Sequence, residues 1–278
     1  MRRRAFGSTG IEVPVIGQGT WKLKRPDNAE RALRLGLELG LTHIDTAELY
    51  RGSEEVVCRA IASRREQVFL VSKVLPTNAS YAGTLDACDR SLERLKTDHL
   101  DVYLLHWWSS QHSIQDTMRA MGDLVDAKKI RFVGVSNLSV SELEEAQSVL
   151  GRNNIICDQV YYAMDVRNIE NELLPYCKSK NIAVVGYSPF GSGNFPSART
   201  TRGGKVLEEI AKERGLTPHQ VVLAFLARED NVFLIPKAET EAHVRENASA
   251  LERPLTQDDV DELDAAFPRG RSTQMQYV

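Results

Sequence analysis

The sequence predicts an α/β protein, a (β/α)8 TIM barrel with an N-terminal β-hairpin, as a single domain over residues 1–278. The chain of 278 residues is close to the length of about 250 that such a barrel needs. Short β-branched apolar runs alternate with longer amphipathic stretches along the whole chain. A doubly wound sheet would carry G-x-G-x-x-G after its first strand, but Gly17-Gln18-Gly19-Thr20-Trp21 has no third glycine in place. A closed barrel is therefore favoured.

The N-terminus predicts a hairpin. Arg3–Phe6 and Glu12–Val13 flank the turn sequence Gly7-Ser8-Thr9-Gly10. We expect this hairpin to plug the floor of the barrel.

The eight barrel strands are predicted from runs that are mostly apolar, as expected for parallel strands covered by helices. They are Val15–Gly17, His43–Thr46, Val68–Lys73, Asp101–His106, Arg131–Ser136, Ile156–Val160, Ala183–Ser188 and Val232–Pro236.

Helix starts are marked by capping residues between these runs. Ser139-Val140-Ser141-Glu142 is a capping box, in which serine and glutamate satisfy each other's free N–H groups. Thr217-Pro218 places a capping side chain before a proline at the first helical position, and Thr256-Gln257-Asp258-Asp259 repeats the signal near the C-terminus.

Composition points to an ordinary globular protein, with 42% hydrophobic and 26% charged residues and a net charge of −3. The one basic cluster, Arg2-Arg3-Arg4, is interpreted as a solvated terminus and not as a nucleic-acid patch. Cys58, Cys88, Cys157 and Cys177 show no metal-ligand spacing, so we expect free thiols in a reducing compartment and no metal. With no signal-peptide pattern and no apolar run long enough for a bilayer, we expect a soluble, cytoplasmic protein with no membrane partner.

Polar residues lie at the carboxyl ends of most of the predicted strands. In a barrel these ends meet at one face, where the chemistry of such folds takes place. The residues are Asp45 with Tyr50 five positions on, Lys73, His106, Ser136-Asn137, Asp158-Gln159, Tyr187-Ser188 and Lys237.

Four of these residues predict acid catalysis. An ammonium at Lys73 would lower the pKa of the Tyr50 phenol and make it a usable general acid. Asp45 would pair with Lys73, and His106 would orient a substrate oxygen. Each residue alone has a structural alternative: an ion pair, a core histidine or a loop-capping tyrosine. All four at neighbouring strand ends favour the catalytic interpretation.

Several motifs follow one another in register along the chain. They are Gly19-Thr20-Trp21, His43-Ile44-Asp45-Thr46-Ala47-Glu48-Leu49-Tyr50, Val71-Ser72-Lys73, Leu100–Trp107, Gly134-Val135-Ser136-Asn137 and Ile235-Pro236-Lys237. Together they resemble the aldo-keto reductase superfamily, from about residue 10 to residue 267. The likeness is strongest to bacterial methylglyoxal and 2,5-diketogluconate reductases.

The resemblance implies the catalytic residues Asp45, Tyr50, Lys73 and His106, and NADPH (NADP+) as cofactor. It implies that Ser136, Asn137 and Gln159 hold the nicotinamide carboxamide and that Tyr187 stacks on the ring. The remaining implied cofactor contacts are Gly19, Thr20, Trp21, Asp45, Ser188, Phe190, Ile235, Lys237, His243, Glu246 and Asn247.

The sequence departs from the family pattern at three positions. Ala238 replaces a frequent serine, and His243 replaces an arginine that often contacts the 2′-phosphate. Because histidine is largely neutral near pH 7, we expect a weaker NADPH preference, with Lys237 still favouring NADPH over NADH. Asp158 stands where asparagine is common, and the sequence gives no account of it.

Short loops predict a shallow mouth that accepts small aldehydes and 2-oxoaldehydes such as methylglyoxal. The segments concerned are Trp107–Ser113 and Pro268–Val278. Trp21, Tyr50, His106 and Trp107 are the predicted substrate contacts, with Trp108 either joining them or packing between barrel and helix.

Two other functions remain open from the residues: a non-catalytic, cofactor-sensing subunit, and a sugar-phosphate isomerase or aldolase. The first would need an additional partner surface. The second would need a phosphate-gripping loop, for which Gly191-Ser192-Gly193 and Gly203-Gly204 are weak candidates. We expect a monomer.

Overall fold

The computed structural model describes residues 1–151, 153–199 and 201–277, and it confirms the predicted barrel. Within these residues eight parallel strands form one sheet in the order β10-β9-β8-β7-β6-β5-β4-β3. The strands are β3 (Gln18–Gly19), β4 (His43–Asp45), β5 (Phe69–Val74), β6 (Leu100–Leu105), β7 (Ile130–Ser136), β8 (Ile155–Tyr161), β9 (Ala183–Tyr187) and β10 (Val232–Leu234).

The first and last strands close the sheet into a barrel. Ile16 forms a parallel bridge with Leu234, and Gly19 forms one with Lys237. Backbone hydrogen bonds span this seam, including Gly17 N–H to the Leu234 carbonyl at 2.7 Å.

The predicted first strand, Val15–Gly17, is wrong in its position. Only Gln18 and Gly19 pair with β4, through Ile44 and Asp45. Val15 and Gly17 instead form backbone hydrogen bonds with Leu234 of β10. These residues therefore help to close the barrel without forming a regular strand.

Helices cover the outer face of the barrel. The apolar stripe of the first of them is buried at Ala29, Leu33 and Leu37, the spacing of one helical face. The helices in the described residues are α1 (Pro26–Glu38), α2 (Ser53–Ile61), α3 (Tyr81–Leu95), α4 (Ile114–Asp126), α5 (Val140–Val149), α6 (Leu173–Ser179), α7 (Arg202–Arg214), α8 (Pro218–Leu226), α9 (Glu241–Ser249) and α10 (Gln257–Ala266).

The predicted caps are confirmed at the starts of α5, α8 and α10. Ser139 pairs with Glu142, Thr217 with Gln220, and Thr256 with Asp259, each pair forming a complete capping box. The four cysteines are free, as expected. In the part of the chain that the structure describes, no helix is both long enough and apolar enough to cross a bilayer.

The N-terminal hairpin plugs the barrel floor, as predicted. Strand β1 (Arg3–Ala5) pairs antiparallel with β2 (Glu12–Pro14). The Phe6 ring packs inside the barrel against Phe69 and Phe233, with ring centroids 4.9 and 4.7 Å away. This apolar floor leaves the opposite, carboxyl end of the strands open for chemistry.

The interpretation of Arg2-Arg3-Arg4 as a solvated terminus is wrong for Arg4. Its side chain is buried and donates to the carbonyls of Glu229, Val232 and Ala227, at 2.5, 3.2 and 2.9 Å. The guanidinium thus ties the hairpin to the end of α8 and the start of β10.

We predict that Arg4→Met lowers the free energy of unfolding by about 2–4 kcal/mol, because three carbonyls lose a charged donor in a buried setting. Urea unfolding followed by circular dichroism measures the change. Arg2→Met, at an exposed neighbouring position, is the control and should change stability by less than about 0.5 kcal/mol. Equal losses in both variants would contradict the anchoring role of Arg4.

Candidate active site

The four predicted catalytic side chains converge at the carboxyl end of the barrel. Asp45 ends β4, Lys73 lies near the end of β5, and His106 directly follows β6. The Lys73 Nζ lies 2.6 Å from Asp45 Oδ1 and 5.0 Å from the centroid of the Tyr50 ring. The Tyr50 and His106 rings meet edge to face, with centroids 5.6 Å apart.

Asp45 and Lys73 form a buried ion pair, and each partner also makes a further hydrogen bond. The Lys73 side chain is 0% exposed and that of Asp45 is 2% exposed. Lys73 Nζ also donates to the Thr46 carbonyl at 2.8 Å, and Gln159 Nε2 donates to Asp45 Oδ2 at 2.7 Å. Burial raises the pKa of Asp45 and lowers that of Lys73, and the attraction between the two opposes both shifts. The Asp45 carboxylate therefore balances the positive charge of Lys73.

The expected lowering of the Tyr50 pKa is wrong in this structure. Burial, followed by the Asp45 carboxylate, raises the pKa of the Tyr50 phenol well above its usual value. The physical reason is that Asp45 neutralises Lys73, so burial is the larger effect on the phenol. Tyr50 consequently keeps its proton across the neutral pH range, which is the state that a proton donor requires.

His106 is a neutral imidazole. Burial, and next the charge of Lys73, lowers its pKa to about 2. Its Nδ1 is buried and has no hydrogen-bond partner among the described residues. A neutral ring carries one N–H that can donate to an oxygen atom.

An aromatic cavity of about 620 Å³ opens above these groups. Tyr50, His106 and Asp45 contribute to its wall, whereas Lys73 lies beneath it. The predicted site residues that line it are Gly19, Thr20, Trp21, Asp45, Tyr50, His106, Trp107, Ser136, Asn137, Gln159, Tyr187, Ser188, Ile235 and Lys237.

Ser136, Asn137 and Gln159 form a linked polar group at one side of the cavity. Ser136 Oγ donates to the Gln159 carbonyl at 2.7 Å, and Asn137 Nδ2 donates to Ser136 Oγ at 2.9 Å. The Tyr187 hydroxyl donates to Asn137 Oδ1 at 3.1 Å. Asn137 has a φ of +61°, a left-handed conformation that asparagine tolerates better than most residues. Neighbouring strands thus hold amide and hydroxyl groups in fixed positions.

The profile of the Aldo/keto reductase family matches residues 15–267. The chain belongs to this family.

Relatives of this reductase match along almost their entire length. The methylglyoxal reductase YeaE of Escherichia coli is 42% identical over 270 residues, covering 94% of this chain and 93% of the relative. The glyoxal reductase of Bacillus subtilis is 33% identical, covering 92% of this chain and 90% of the relative.

Solved structures of aldo-keto reductases share the fold. A Klebsiella pneumoniae enzyme in complex with NADP and acetate has a TM-score of 0.90 and 36% identity, with 100% of both chains covered. A structure of a K. pneumoniae aldo-keto reductase in complex with NADPH has a TM-score of 0.91 and 36% identity, with the same coverage.

Four of the implied cofactor residues of the reductase do not line the cavity. Phe190 packs edge to face against His219, with centroids 4.8 Å apart, and Glu246 accepts a hydrogen bond from Thr217 Oγ1. His243 is exposed in α9, where Asn247 is buried. Their roles stay predictions.

The sequence analysis missed three residues of the cavity wall. It left open whether Trp108 contacts substrate or packs between barrel and helix, and the Trp108 side chain is part of the wall. Leu49 adjoins Tyr50 in the same loop, so proximity could have indicated it. Glu142 was assigned to the helix cap alone. Tyr277 belongs to the short tail, whose backbone accepts hydrogen bonds from Asn168 and Asn171 at residues 274 and 272.

Asp158 is a buried carboxyl group behind the Asn137 loop. It is 0% exposed, and neither side-chain oxygen has a well-formed hydrogen bond to the described residues. Burial raises its pKa well above the usual range, against the lowering effect of the nearby backbone N–H groups of Leu138 and Asn137. Asp158 therefore keeps its proton to a higher pH than an exposed aspartate does.

We predict that Asp158→Asn becomes more stable relative to the wild type as pH rises. The unfolded Asp158 ionises near pH 4, whereas the folded one ionises at a higher pH, so the wild type loses stability as pH rises above about 4. The variant should gain about 1.4 kcal/mol in relative free energy of unfolding for each pH unit over which only the unfolded carboxyl is ionised. Urea unfolding at several pH values measures this difference.

Asp86→Asn, at an exposed position of α3, is the control and should show no comparable trend. A difference between Asp158→Asn and the wild type that stays constant with pH would contradict the raised pKa of Asp158.

Proposed function

We propose that this enzyme reduces small aldehydes and 2-oxoaldehydes such as methylglyoxal to alcohols, with NADPH as the hydride donor and Tyr50 as the proton donor. One observation carries the proposal: in the wall of an aromatic cavity, the Tyr50 phenol lies beside the His106 imidazole and near the Asp45–Lys73 ion pair.

The cavity wall fits NADP(H). The amide groups of Asn137 and Gln159 and the hydroxyl of Ser136 suit a carboxamide. The Tyr187 ring lies nearly parallel to Tyr161, at 14° and 5.8 Å, which fixes the orientation of a flat stacking surface. Lys237 places a cation on the same wall, suited to a phosphate group. The NADP and NADPH complexes of the Klebsiella structures support this assignment.

When bound, NADPH supplies the hydride for the carbonyl carbon. Tyr50 would donate its proton to the carbonyl oxygen as negative charge develops there, and the N–H of His106 would orient that oxygen. Both groups are in the required protonation state, because the pKa of Tyr50 is raised and that of His106 is lowered to about 2.

Lys73 would act once the proton has left. Its Nζ lies 5.0 Å from the centroid of the Tyr50 ring, close enough for its charge to stabilise the phenolate that forms. Asp45 and the Thr46 carbonyl hold the ammonium in place, and Gln159 holds Asp45.

The cavity favours small carbonyl compounds. Trp21, Trp107, Trp108 and Tyr277 bring bulky rings into its wall. The names of the Escherichia coli and Bacillus subtilis relatives, a methylglyoxal and a glyoxal reductase, agree with small dicarbonyl substrates.

NADPH should be preferred over NADH, but less strictly than in family members with an arginine at position 243. Lys237 Nζ lies 3.6 Å from Glu239 Oε1, and this carboxylate partly balances the charge of the lysine. His243 supplies no permanent second charge.

We predict that Tyr50→Phe lowers kcat for methylglyoxal reduction by about 10²- to 10⁴-fold, the usual contribution of a positioned general acid. NADPH affinity should stay near the wild-type value, because the substitution removes only the hydroxyl. The absorbance of NADPH follows turnover, and quenching of protein fluorescence follows binding.

Tyr81→Phe is the matched control, since it also removes a phenolic hydroxyl but lies on the surface, where it bonds Asp123. This variant should turn over at the wild-type rate. Wild-type turnover in Tyr50→Phe would refute the assignment of the acid. Tight NADPH binding with no aldehyde reduction in the wild type would refute the function.

A further inference from the structure

Glu142 brings a carboxylate to the cavity wall. It is the third residue of α5, directly beyond the loop that carries Asn137. The same wall includes His106, Trp107 and Trp108 from the loop after β6, the strand next to β7.

The helix cap fixes the position of this carboxylate. Glu142 Oε2 accepts hydrogen bonds from the backbone N–H and the hydroxyl of Ser139, both at 2.7 Å. Oε1 has no hydrogen bond from the described residues. Among these residues, no lysine or arginine lies within 4.0 Å of the carboxylate to form an ion pair.

The other charges of the cavity wall are compensated. Asp45 is paired with Lys73 at 2.6 Å, and Lys237 lies 3.6 Å from Glu239. His106 is neutral. Glu142 is thus the charge without a counter-ion in the described part of the wall.

The field of Glu142 extends to the mouth of the cavity. The pKa of Tyr277, which lines the cavity, is raised first by burial and next by the charge of Glu142. A second anion placed in the mouth would therefore be repelled.

We infer that Glu142 is a specificity-determining residue, which selects neutral carbonyl compounds against those that carry a carboxylate. This inference rests on the proposed function. Among the carbonyl compounds that this family reduces, Glu142 would favour neutral dicarbonyls such as methylglyoxal over oxo-acids and aldehyde-acids.

The test compares two aldehydes of similar shape and different charge, 4-nitrobenzaldehyde and 4-carboxybenzaldehyde, at saturating NADPH. The measured quantity is the ratio of kcat/KM for the anionic aldehyde to kcat/KM for the neutral one. Glu142→Gln should raise this ratio about three- to tenfold, the size expected for removing one like charge at several ångströms in a partly screened site. Glutamine keeps the capping box, because it accepts the same hydrogen bonds from Ser139.

Glu145→Gln is the matched control on the same helix, where Glu145 bonds Gln115 on the surface. It should leave the ratio unchanged. If both variants shift the ratio equally, the effect comes from net charge and the inference is wrong.

Ionic strength gives a second readout on the wild-type enzyme. Raising it from about 0.02 to 0.5 M shortens the screening length from about 20 to 4 Å. The ratio should rise with salt in the wild type and rise less in Glu142→Gln. If Glu142→Gln reduces the neutral aldehyde with an unchanged ratio, the inference is wrong and the proposed function still holds. If the enzyme reduces neither aldehyde, the proposed function itself is wrong.

Discussion

The buried ion pair of Asp45 and Lys73 is the interaction on which the site depends. Removing two charges from water costs several kcal/mol for each ion, and further hydrogen bonds to the pair help to offset that cost. Adjacent strands β4 and β5 supply the two charges, and Gln159 reaches Asp45 from β8, on another side of the barrel. Side chains from three strands of the barrel therefore hold the pair in place.

The same pair determines the protonation of its neighbours. Because Asp45 compensates Lys73, burial dominates at Tyr50 and the phenol keeps its proton. His106, buried near the ammonium, stays neutral. In the proposed mechanism, Tyr50 is the proton donor and His106 a hydrogen-bond donor, and the Asp45–Lys73 pair leaves no free charge between them. The proposal gives Lys73 its role after Tyr50 has lost its proton, because the phenolate is then the group that needs a cation.

The sequence predicted the barrel, the caps of α5, α8 and α10, and the convergence of Asp45, Tyr50, Lys73 and His106. These follow from local patterns and from the rule that parallel strands end at one face. The bounds of the first strand were wrong, because residues 15–17 bond to Leu234 and Arg2 and not to β4, and a single sequence does not reveal which neighbour a strand pairs with. The pKa of Tyr50 was wrong because a pairwise argument omits burial. Arg4, Glu142 and Tyr277 were misjudged or missed because their partners lie far along the chain or because they also have a local role.

The central claim is that the compensated ion pair leaves Tyr50 protonated and His106 neutral throughout the working pH range. The most direct measurement is the rate of the first turnover, followed by NADPH fluorescence in a stopped-flow instrument at saturating aldehyde, from pH 5 to pH 9. The account predicts a rate that changes by no more than about twofold, because neither group titrates in this range. A rate that falls with a midpoint near pH 7 to 8 would contradict it, since a phenol beside an uncompensated ammonium would ionise there.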